Sequence, residues 1–115
     1  MTELQSNTRN NLLNTLQFFS SLEEQINYKN AVPYVHIPNE LLSQWESYRE
    51  LRNKTWYIEI WNSREIKAID DFEIGLKKQI SKMNMINDLP KILEDRYWLE
   101  IKKIAQLCLA NIITL

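Results

Sequence analysis

One glycine, three prolines, one cysteine and one histidine are all that these 115 residues hold of those four residue types. Phosphate-binding loops and dinucleotide fingerprints need several glycines, so that backbone N–H groups can approach the phosphates. A chain whose only glycine is Gly75 carries neither. The scarcity of turn-forming residues also excludes an all-β fold, which needs many tight turns. Long helices with short connections need few. The lone Cys108 rules out an internal disulfide and fits a reducing compartment. Zinc takes His and Cys ligands at close spacing. His36 and Cys108 stand 72 residues apart, and the Glu-x-x-His pairs of a di-iron bundle do not occur. No metal and no cofactor is expected.

Strong charge of either sign is missing too. Fourteen basic and 15 acidic residues leave a net charge of −1. Such a chain generates no field that would draw it to nucleic acid or to an anionic membrane. Lys77, Lys78 and Lys82 form a small basic group, offset by the acids before it. No apolar run reaches the roughly 18 residues of a membrane span. The nearest, IAQLCLANIITL at 104–115, is interrupted by Gln106 and Asn111. The start, MTELQSNTRNN, lacks the apolar segment of a signal peptide. A cytoplasmic location is the expectation.

What is present is a good supply of core material. Apolar residues make up 44% of the chain, enough for one globular domain over residues 1–115, with 1–7 a candidate flexible lead-in. Leu12, Leu13, Leu16, Phe19, Leu22 and Ile26 recur at spacings of three and four, which predicts one helix over residues 8–27, with Asn7 or Thr8 as its cap unless it begins earlier. Two prolines bracket residues 34–37, predicting an extended connector or short edge strand at 32–37. Asn39 is the candidate cap of a second helix carrying Leu41, Trp45 and Tyr48.

NKTWYIEIW, residues 53–61, alternates like a strand, with Trp56, Ile58 and Ile60 facing in and Tyr57 and Glu59 facing out. Asn62 and Glu65 then have capping-box spacing behind Trp61. Ile69, Phe72, Leu76, Ile80 and Met83 continue that third helix, and Gly75 inside it permits close approach of another helix. Asp88 and Pro90 are start signals for a fourth helix, striped by Leu93, Tyr97, Ile101, Ile104, Cys108 and Ile112. Its apolar surface spreads to Leu107, Leu109 and Ile113, so it lies central in its bundle or docks a partner. The fold class is therefore all-α, a bundle of about four main helices with at most a short β element near 32–37 and 55–60.

Candidate chemistry is thin. Cys108 with His36 could form a nucleophile and base, but aliphatic neighbours make a thiol inert. Glu65, Asp70, Asp71 and Glu73 supply carboxylates, yet successive helical residues point about 100° apart and do not converge. Lys67 and Lys77 stand four residues from Asp71 and Glu73, the spacing of a solvated helix face. Aromatic residues, by contrast, favour binding hot spots. The candidate partner-binding residues are Trp56, Tyr57 and Glu59 with Asp70, Asp71 and Glu73.

Three stretches carry a resemblance. VPYVHIPNELLSQW (32–45), NSREIKAIDDF (62–72) and WLEIKKIA (98–105) follow the order of features in a group of small bacterial proteins. In these, V/I-x-x-P-x-E-L-L-x-x-W leads into an aromatic loop, a capped helix and a W-x-x-I/V-x-x-x-A helix. The chain thus resembles immunity proteins of contact-dependent or polymorphic toxin systems. That resemblance implies a protein that is not an enzyme and that binds and neutralises a co-encoded toxin domain. It shares no functional motif residue by residue, so it assigns no contact residue. The alternative is a structural subunit, a homodimer through the apolar C-terminal helix.

Overall fold

A computed structural model of the chain describes residues 1–112. The expected place of Ile113 on the last helix lies outside those residues. Among the described residues there are six α-helices and no strand. They are α1 (Glu3–Ser20), α2 (Leu22–Ala31), α3 (Ile37–Glu50), the single turn α4 (Tyr57–Ile60), α5 (Ser63–Ser81) and α6 (Arg96–Ile112). None is long and apolar enough to cross a membrane.

The first expected helix is two. It starts before residue 8, because Thr2 and Gln5 form a reciprocal capping box. Residues 3–7 are therefore helical. It stops at Ser21, whose backbone is extended and whose hydroxyl accepts from Glu24 N at 3.2 Å, capping α2. The break leaves carbonyls of α1 without helical partners. Gln25, fully buried, donates to Phe18 O at 2.8 Å and accepts from Trp98 Nε1 at 2.9 Å. Gln106 donates to Ser20 O at 3.1 Å.

Residues 32–37 form no strand; a turn leads straight into α3. The cap of α3 is His36, not Asn39: its Nδ1 accepts from Asn39 N at 3.2 Å. Nε2 therefore carries the hydrogen and donates to Ile86 O at 3.1 Å. Asp88 does not cap the last helix. Its carboxylate accepts from Ile37 N at 3.0 Å and from Lys29, tying the 82–90 loop to α2 and α3. Asp95 caps α6 instead, accepting from Tyr97 N and Trp98 N.

Residues 55–60 also form no strand. With residues 32–37 committed elsewhere, an extended segment had no partner for its backbone groups. Local turns satisfy them: Tyr57 N donates to Lys54 O and Glu59 N to Trp56 O, both at 3.0 Å. The change of period changes the faces. Tyr57, Ile60 and Trp61 are buried, Trp56 is half-buried, and Ile58 and Glu59 are exposed.

The capping box of Asn62 and Glu65 forms as its spacing predicts. Arg9 of α1 closes on it, donating to both Glu65 oxygens at 3.2 and 2.8 Å and to Ile60 O at 2.8 Å. The same guanidinium lies 4.5 Å from the Trp61 ring centroid. Burial alone would raise the Glu65 pKa, but the bonds from Arg9 and Asn62 hold it below the ordinary value. Phe72 is the centre of the core, its ring 5.5 Å from Phe19 and 4.8 Å from Trp45. Trp98 packs on Phe19 from the other side at 5.9 Å.

Candidate partner-binding groove

α5 has a neighbour on each side, and the two seams differ. Towards α6 the helices run antiparallel, as Gly75 beside Ile104 and Arg64 beside Asn111 show. A Cβ on Gly75 would lie 2.6 Å from Ile104 Cδ1, so the missing side chain sets how closely they meet. Towards α3 the seam stays open. α3 leans on α1, where Thr15 Oγ1 donates to Gln44 Oε1 at 3.1 Å, rather than on α5.

The result is a groove of about 320 Å³ between α3 and α5. Its floor is Leu42, Trp45, Leu76 and Ile80, and its rim is Glu46, Arg49, Glu73, Lys77 and Ser81. The spacing Leu42–Trp45 on one helix and Leu76–Ile80 on the other is the three- and four-residue period that turns an apolar stripe to one side. The indole N–H of Trp45 and Oε1 of Glu73 are buried without a hydrogen-bond partner among the described residues. Arg49 Nε stands 3.6 Å from that oxygen, an ion pair beyond hydrogen-bond length. Leaving such groups unpaired costs roughly 1–3 kcal/mol each.

The groove gathers part of the residue set expected from sequence and disperses the rest. Of that set the groove holds Glu73, which Arg49 of α3 bridges to Glu46; Asp70 lies outside it, gripped with two hydrogen bonds by Arg52 just past the end of α3. Asp71 lies on the far side of α5 and pairs with Lys67 at 2.8 Å. The three acids are thus not one acidic surface; each has a cationic neighbour. Tyr57 points inward, against the expectation that it faces water. Burial pushes its phenol up to about 12, although Arg52 nearby pulls the other way. Glu59 is exposed and accepts from Gln5 Nε2 at 3.2 Å, away from the groove.

Trp45 and Leu76 were legible only as core positions. Nothing local marks them as the walls of an opening, because that depends on where α3 lies relative to α5. Cys108 is buried, and burial pushes its thiol up to about 12. Among the described residues, no three His, Cys, Asp or Glu side chains come together as a metal site. Compared with protein-family models, with curated proteins and with solved structures, the chain matches none of them.

Proposed function

We propose that this chain is a protein-binding inhibitor that covers and neutralises a toxin domain encoded beside it. The observation that supports binding is the groove between α3 and α5. It has an apolar floor and a charged rim. That combination suits an apolar anchor from a partner helix, with rim charges setting orientation. The resemblance of residues 32–45, 62–72 and 98–105 to immunity proteins supplies the class of partner. Inhibition by occlusion needs a rigid scaffold, which the network of Arg9, Glu65, Ile60 and Trp61 provides at one end of the molecule.

The test is co-expression with the product of the neighbouring gene. The expected outcome is a stable complex on size exclusion and relief of toxicity. Ser81→Trp, at the exposed rim of the groove, should weaken that complex at least tenfold without lowering the melting temperature. No complex and unrelieved toxicity would sink the reading. A complex indifferent to Ser81→Trp would move the contact away from the groove.

A further inference from the structure

The outer sides of α5 and α6 form a second surface of different character. On α5 the outward stripe is Lys67, Asp71, Ile74 and Lys78; on α6 it is Arg96, Glu100, Lys103 and Leu107. Both follow the helical spacing of three and four. Ile74 is 67% exposed and Leu107 64%. The antiparallel register set by Gly75 and Ile104 brings these two aliphatics to neighbouring levels of the helix pair. Six exposed cations surround them: Arg64, Lys67, Lys78, Lys82, Arg96 and Lys103. The acids on the two stripes are Asp71 and Glu100, and Asp71 is already paired with Lys67. In a chain of net charge −1, this face is locally basic.

We propose that the outer α5–α6 face docks an acidic surface of the protein partner, with carboxylates ringing an apolar residue that covers Ile74 and Leu107. This rests on the protein-binding reading above and adds the charge of the partner and a second contact region. Charge complementarity selects the occupant. A second copy of the chain would bring the same six cations against themselves. A nucleic acid would set phosphates over two uncovered aliphatics. The aromatic side chain here, Tyr97, is half-buried, with Arg96 and Lys82 against its ring at 4.8 and 6.0 Å, so it offers no open stacking platform. Two aliphatics on a rigid helix pair also fall short of the apolar face that holds an amphipathic helix in a membrane.

The test is a titration of the isotope-labelled full chain, followed by amide shifts. The probe is a synthetic helical peptide carrying a leucine stripe flanked by glutamates. Shifts should centre on Ile74 and Leu107, and affinity should fall about tenfold from low to physiological salt as the charges are screened. Lys78→Glu with Lys103→Glu should abolish those shifts while leaving the melting temperature unchanged. Shifts centred on the α3–α5 groove instead would overturn the proposal. So would a single-stranded oligonucleotide or phosphatidylserine vesicles that perturb the same amides more strongly, or a concentration-dependent dimer in sedimentation. Loss of all complex between the unaltered chain and the neighbouring gene's product sinks the function itself. A complex that keeps its affinity in the doubly reversed variant sinks this proposal alone.

Discussion

The two seams of α5 show how one helix can close into core on one side and line an open groove on the other. Against α6, Gly75 removes a side chain and the helices close. Against α3, Trp45 reaches across to Phe72 at 4.8 Å while the charged pairs of Arg49 and Arg52 stand at the edge. A large ring and long ionic side chains span a distance that they do not fill. The groove is the remainder. An open groove in a small helical protein thus arises where helices fail to meet, and the side chains that bridge the gap have a structural duty as well.

The first way to break the comparison is to remove a bridge. Trp45→Ala should cost about 3–5 kcal/mol, the range for deleting a large buried ring, measured by urea unfolding. Tyr57→Ala, behind the same seam, should cost a comparable amount, because Tyr57 is buried. Tyr57→Phe keeps the buried ring and should be nearly silent. A loss below about 1 kcal/mol for Tyr57→Ala would show that its ring faces water after all.

That reversal at Tyr57 also shows what could be read from sequence. The capping box at Asn62 was legible because all its partners lie within four residues. Thr2 with Gln5, and Ser21 with Glu24, carry the same kind of local spacing, but the polar run before Leu12 masked the first and the continuous apolar stripe the second. Residues 55–60 were ambiguous in principle. Six residues fit a period of two as well as 3.6, and only a distant partner strand decides between them. The helical class and the stripes of α5 and α6 followed from local pattern. The groove did not, because it is set by the tilt of α3 onto α1, which no short window encodes.

Alkaline titration tests both seams at once, since each holds one group kept from ionising. Burial raises Tyr57 behind the open seam from 10.0 to about 12, and raises Cys108 behind the closed seam from 9.0 to about 12. In both cases the neutral form is favoured on folding. Their stabilisation is complete below the unfolded pKa and is lost as pH rises towards the folded one. Stability should therefore begin to fall near pH 9 with Cys108 and fall more steeply above 10 as Tyr57 joins. Each group contributes a slope of about 1.4 kcal/mol per pH unit inside its window. Cys108→Ala should delay the onset to the tyrosine window, which urea midpoints across the pH series will show. An unchanged onset would mean that the thiol is open to water.

The closed seam can be probed more gently. Alanine in place of Gly75 gains roughly 1 kcal/mol in helix propensity. It also meets Ile104 Cδ1, the mobile end of a half-buried side chain, and forcing that rotamer costs about 0.5–1.5 kcal/mol. Gly75→Ala alone should then be neutral to within about 1 kcal/mol. Ile104→Val deletes the colliding methyl, so Gly75→Ala should become clearly stabilising in that background. A double-mutant cycle reads the coupling directly. Zero coupling would mean that the glycine does not set the approach of α5 and α6.

The smallest effects should separate the two acids that are adjacent in sequence. Asp70 is gripped by two hydrogen bonds from Arg52 across the open seam; Asp71 makes a single exposed contact with Lys67 on its own helix. A two-pronged pair linking separate segments restrains both, whereas an exposed pair four residues apart is screened by solvent and adds little. Asp70→Asn should lower stability by up to about 1 kcal/mol, less in high salt, and Asp71→Asn should leave it nearly unchanged. Equal losses would mean that the Arg52 bridge does nothing to tie the segment after α3 to α5. The orientation of α3 over α5 would then rest on Trp45 and its apolar neighbours alone.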